Sequence, residues 1–121
     1  MNSRDDVEKF MIACDQIETG FGSQAELYMR LIAEEYDELV DAFKNNDLVE
    51  IADACADLKW VIEGLEITMN IPKQEVWDEV ARSNLSKIGP EGKALKRADG
   101  KVLKPDTFFR PDIKSILEKK Q

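Results

Sequence analysis

Two acidic stretches of this chain carry side chains whose type and spacing suit work on hard cations. The first is Glu34-Glu35-Tyr36-Asp37-Glu38, and the second holds Glu50, Asp53 and Asp57. A run of acids on one helix is ordinarily a solvated face. Position on the helical wheel, at about 100° per residue, sets some of these apart. On the second of the expected helices, Tyr28, Met29, Ile32, Tyr36, Leu39, Val40 and Phe43 make the main apolar stripe. Asp37, Asp41, Arg30 and Lys44 point the other way. Glu35 and Glu38 share a side with Leu27, Leu31 and Ala42, and acids among leucines are costly unless a cation compensates them. On the third helix Ile51, Cys55, Leu58, Ile62, Leu65 and Met69 form the core stripe, and Lys59, Glu63 and Glu66 the exposed side. Glu50, Asp53 and Asp57 fall within about 60° of one another there, beside Trp60, Val61 and Gly64, and the glycine leaves room for something to approach.

The elements that must position these acids are legible as helices. Val7, Phe10, Met11, Cys14 and Ile17 give a first helix over about residues 4–18. Thr19-Gly20-Phe21-Gly22 ends it, and Ser23-x-x-Glu26 has the form of a capping box opening a second helix to about Lys44. Asn45-Asn46 breaks the chain. Asp47-x-x-Glu50 opens a third helix to about Met69, and Pro72 stands at the first turn of a fourth ending near Asn84–Lys87. The turn between the second and third helices is so short that they pack antiparallel. Residues whose numbers add to about 91 then lie level, which sets Glu38 against Asp53 and Glu35 near Asp57. Facing carboxylates repel or take up protons unless cations intervene, and two or more Mg²⁺ ions resolve the conflict.

The expected fold class is all-α: a four-helix bundle with an antiparallel central hairpin and a basic, mostly irregular C-terminal tail. The core is placed at residues 1–88 and the tail at 89–121 of the same domain. In the tail, Lys93–Leu95 and Lys101–Leu103 suggest a short hairpin, and Pro111-Asp112 a brief terminal helix.

Composition narrows the chemistry. Histidine is absent from the 121 residues, which removes His-based acid–base catalysis and His-ligated zinc, and leaves oxygen ligands suited to Mg²⁺, Mn²⁺ or Ca²⁺. The net charge of −8 is unevenly spread: residues 1–81 hold 20 acids and 6 bases, residues 82–121 hold 5 acids and 11 bases. An acidic body argues against nucleic-acid polymers as partners. No apolar run approaches the ~20 residues needed to span a bilayer, and the polar N-terminus does not read as a signal peptide. A cytoplasmic location is expected, with Cys14 and Cys55 as buried free thiols. The basic tail is electrostatically suited to cover a cleft filled with metal and phosphate, and Asn84, Lys87, Lys101, Lys104 and Arg110 stand in or next to it. Phe21, Trp60 and Phe108-Phe109 are candidate stacking surfaces for a base, or packing residues.

Glu34-Glu35-x-x-Glu38, eleven residues, then Glu50-x-x-Asp53 resembles the E-E-x-x-E…E-x-x-D motif of the all-α nucleoside triphosphate pyrophosphohydrolases. These include MazG-like proteins, dimeric dUTPases and phosphoribosyl-ATP pyrophosphohydrolase. Ser83-Asn84-Leu85-Ser86-Lys87 and Asp99-Gly100-Lys101-Val102-Leu103-Lys104-Pro105 also look like the tails of small members. The resemblance implies Mg²⁺ (or Mn²⁺) held by Glu35, Glu38, Glu50 and Asp53, with Asp57 as a further ligand or support. It implies Glu34 as the residue that orients or deprotonates water or touches an extra metal, Asn84 and Lys87 as phosphate contacts with Lys101 and Lys104 nearby, and a homodimer or homotetramer. The activity it implies is hydrolysis of a nucleoside triphosphate to monophosphate and pyrophosphate. Phosphoribosyl-ATP hydrolysis and a non-catalytic helical interaction module remain as alternatives.

Overall fold

Asn45 and Asn46 turn the chain in so few residues that the two long helices on either side lie back to back, and this hairpin is the backbone of the fold. The computed structural model describes residues 2–119; the last two residues of the expected tail, Lys120 and Gln121, lie outside them. Five helices occur among the described residues: α1 (Ser3–Ala13), α2 (Ser23–Lys44), α3 (Leu48–Thr68), α4 (Lys73–Leu85) and α5 (Ile113–Lys119). There is no strand among them, and the fold is all-α. The expected tail hairpin reduces to one antiparallel bridge between Lys96 and Val102, closed around Gly100 at φ +90°. No described helix is long and apolar enough to cross a membrane.

The contacts divide the chain into two units, Met1–Ile71 and Pro72–Gln121, so α4 groups with the tail rather than with the first three helices. In the first unit α3 packs on both α2 and α1. Val7, Met11, Tyr28 and Val61 form the buried centre, with Leu31, Ile32, Leu58, Leu65 and Ile67 packed against it. In the second unit α4 packs on α5.

Several local expectations are corrected. Helix α1 stops at Ala13, because Asp15 takes a left-handed φ of 56° and the Gln16 amide returns to the Met11 carbonyl. Ile17 is therefore exposed. The capping box at Ser23 does not form. Gly22 is the N-cap; Ser23 Oγ donates instead to Glu18 at 3.1 Å, and the Gln24 amide donates to the same carboxylate at 3.3 Å. Glu18 thus supplies the negative charge that a helix N-terminus favours. Asp47 caps α3 as expected, accepting from the Glu50 amide at 3.1 Å. Pro72 precedes α4 as its cap. Glu63, placed by the wheel on the exposed side, is buried and accepts from Ser3 Oγ at 2.8 Å, because α1 covers that side of α3. Neither cysteine is buried: Cys14 is exposed at the end of α1 and Cys55 is half-buried, both as free thiols.

The apolar stripe of α2 is rotated from its expected place. Tyr28 is buried, but Met29, Tyr36 and Phe43 are 55%, 57% and 72% exposed. The side that faces α3 is centred on Gln24, Tyr28, Glu35 and Ala42. On α3 the buried residues are Ala54, Val61, Glu63, Gly64 and Thr68, not the larger aliphatic stripe, and Ile62 is exposed.

Candidate active site

The register of α2 against α3 decides which acids meet. Gln24 Nε2 donates to Thr68 Oγ1 at 2.9 Å, and Thr68 Oγ1 donates to the Gly64 carbonyl at 2.8 Å. One turn further along α2, the Tyr28 ring lies against Gly64 so closely that a Cβ there would stand 2.1 Å from Cε1. The room left by Gly64 is therefore filled from within the chain. The Tyr28 hydroxyl donates to Gln16 Oε1 at 2.6 Å, which fixes the ring from its far end. These two contacts place the level pairs one residue from the expected register and bring Glu35 opposite Asp57.

Carboxylate oxygens from Glu35, Glu38 and Asp57 lie within 4.8 Å of one another. Glu35 and Asp57 are half-buried and Glu38 is exposed. Burial raises the Glu35 pKa to about 7, helped by a hydrogen bond with Glu38 and by the charges of Glu38, Asp57 and Asp53. Asp57 is also raised, first by burial, then by the charges of Asp53 and Glu38 and a hydrogen bond with Asp53. A carboxylate pair that shares a hydrogen bond must hold a proton. Glu35 Oε2 is nonetheless buried with no hydrogen-bond partner. Acids half out of water, with an orphaned oxygen, match what a bound cation would relieve. The donors are all hard oxygens, so the set fits a divalent cation of the Mg²⁺, Mn²⁺ or Ca²⁺ type.

Toward the interhelical turn the cluster opens into a groove of about 310 Å³. Glu38, Asp41, Asp47, Glu50 and Asp53 line it. Of the acids named from the sequence, the structure thus gathers Glu35, Glu38 and Asp57 at the cluster, Asp53 bonded to Asp57, and Glu50 beside Glu38 and Asp53 in the groove. Glu34 is exposed on α2 and outside both groups. Two acids were missed. Asp41, assigned to the solvated side, borders the groove one turn after Glu38. Asp47, the cap of α3, also lines the groove.

The second unit holds the basic candidates. Lys87 Nζ donates to Asn84 Oδ1 at 3.1 Å, so these two do share a side of the chain end of α4. Lys87 and Lys104 both approach the Phe108 ring, at 5.7 and 5.2 Å from its centroid. Lys101 is exposed in the tail turn, its amide donating to Asp99. Phe21 is exposed, whereas Trp60 meets Phe10 edge-on at 5.7 Å.

A family model described as phosphoribosyl-ATP pyrophosphohydrolase matches residues 17–84. That span contains α2, α3, the turn between them and every acid of the cluster and groove. The chain belongs to the phosphoribosyl-ATP pyrophosphohydrolase family. The family lies within the all-α nucleoside triphosphate pyrophosphohydrolase superfamily, and membership makes the chain a hydrolase acting on phosphoric anhydrides. Comparison with the curated proteins finds no match.

Proposed function

We propose that this chain is a Mg²⁺-dependent nucleoside triphosphate pyrophosphohydrolase, converting a ribo- or deoxyribonucleoside triphosphate and water to the monophosphate and pyrophosphate. The observation that carries the reading is the three-carboxylate cluster on facing helices with the orphaned Glu35 oxygen. Glu35, Glu38 and Asp57 in the cluster, with Glu50 and Asp53 in the adjoining groove, would hold the Mg²⁺, with Mn²⁺ as an alternative. When bound, the ion supplies charge compensation to phosphate oxygens and acidifies water. Glu34, exposed beside the ligand acids, orients the attacking water or accepts its proton. Asn84, Lys87, Lys101 and Lys104 neutralise the phosphate chain, which the carboxylates alone would repel. The partners are a nucleoside triphosphate and further copies of this chain, as a homodimer or homotetramer. The uncovered apolar side of α2 supports that association. The two free thiols are in keeping with a reducing cytoplasm, where removal of unwanted nucleotides is the natural task.

A second reading has a specific finding in its favour: the matching family model is that of phosphoribosyl-ATP pyrophosphohydrolase. The bond broken is the same, between the α- and β-phosphates, and only the group on the base differs. The test is one panel of triphosphates, standard and damaged, with phosphoribosyl-ATP included, assayed with Mg²⁺ for pyrophosphate release. Turnover of phosphoribosyl-ATP alone favours the second reading. Products of diphosphate and orthophosphate, or turnover undiminished in excess chelator, overturn both.

A further inference from the structure

The tail between α4 and α5 has almost no regular structure, yet one segment of it is bound tightly to α4. Ser83 Oγ donates to the Phe109 carbonyl at 2.8 Å, and Ser83 is buried. Ser86 Oγ accepts from the Phe109 amide at 3.1 Å, and Thr107 Oγ1 donates to the Ser86 carbonyl at 2.9 Å. Glu79 accepts from the Asp112 amide at 2.6 Å. Arg82 grips the same Glu79 with both arms of its fork, at 2.8 and 3.0 Å, and lies 4.1 Å over the Phe109 ring. Glu79, Ser83 and Ser86 are spaced four and three apart, so they make one stripe along α4. Both backbone groups of Phe109 are thereby satisfied by serines, and Phe108 is held between fixed neighbours.

The held ring is the one that Lys87 and Lys104 share. Each ammonium stands within reach of that ring, so two positive charges gather around one held side chain. An anion with several charged oxygens suits such a pair. Glu79 does not fill that role, because both its oxygens are already taken up by Arg82 and the Asp112 amide.

We propose that Glu79, Arg82 and Ser83 form a clasp that positions Lys104 beside Lys87 for the phosphate chain of the substrate. This rests on the assignment of Lys87 and Lys104 to phosphate made above. The clasp residues act through Lys104 and are positioning residues. The test is calorimetric binding of inorganic tripolyphosphate with Mg²⁺ to the full chain and its variants. Lys104→Ala weakens binding by about tenfold, and Ser83→Ala by a similar factor. In the Ser83→Ala/Lys104→Ala double variant the loss equals that of Lys104→Ala alone, because the hydroxyl acts only through that lysine. If Ser83→Ala does not fold, Glu79→Ala takes its place in the same cycle. Ser83→Ala or Glu79→Ala binding like the parent, or losses that multiply in the double variant, overturns the clasp while leaving the lysines assigned. Lys87→Ala and Lys104→Ala both binding like the parent overturns the phosphate assignment itself.

Discussion

Glu35 is half out of water among three other carboxylates, and its pKa stands at about 7. An acid whose pKa is higher folded than unfolded favours the fold in its protonated form. That stability is fully present below the ordinary value of 4.5 and is lost as pH rises through about 7. In chelator, the melting temperature should therefore fall between pH 5 and 8. Glu35→Gln should flatten that slope and raise the pH 8 value by on the order of 4 °C. Added Mg²⁺ should stabilise the parent at pH 8 and leave Glu35→Gln nearly unmoved. Differential scanning calorimetry checks all three, and a parent curve flat in pH would contradict them. At Glu38 and Asp53, truncation to Ala should remove a ligand oxygen and lower turnover by more than about 100-fold. Asp37→Ala should behave like the parent. Asp41 serves poorly as a second control, since it borders the groove; Asp41→Ala should fall between. Equal activity in Glu38→Ala and Asp37→Ala would mean the acids are only a solvated face.

At the scale of the helices, the hairpin is positioned by a ring and a missing side chain. Gly64→Ala would drive a methyl group into the Tyr28 ring at 2.1 Å. The ring is anchored at its hydroxyl and cannot swing away, so overpacking should cost about 1–3 kcal/mol in chemical unfolding. Asp47→Ala removes the α3 cap and should cost about 1 kcal/mol. The length of α2 and α3, their short turn and the level pairing of Glu35 with Asp57 were all legible, because they depend on local breakers and on counting. Rotation of the helices was not. Apolar residues cover more than half of the α2 wheel, and periodicity does not say which part faces α3 and which faces elsewhere. The large Met29, Tyr36 and Phe43 drew the expected stripe outward, whereas small Ala42 and Ala54 mark the close approach. The end of α1 was missed because a left-handed Asp15 carries no glycine signal. The binding of Phe109 to Ser83 and Ser86 joins residues far apart in sequence and has no periodic trace.

At the scale of the whole molecule, the buried apolar residues described within one chain are few: Val7, Met11, Ala25, Tyr28, Ala42, Ala54 and Val61. A chain of this size with so small a centre gains from association. Met29, Tyr36 and Phe43 leave one side of α2 uncovered, and under the association proposed above a second copy would cover it. Light scattering at micromolar concentration should give a dimer or tetramer, and Tyr36→Arg with Phe43→Arg should shift it toward the monomer. A monomeric parent would contradict this. These three exposed residues recur every seventh position along a helix that turns once in about 3.6. Such a strip drifts by about 20° with each repeat, so a straight neighbour laid along it would lose contact within a few turns. A helix that follows the strip must wind around α2 with a left-handed lean and cross it near 20°. The steeper crossing of about 50° common in globular folds would touch only one of the three.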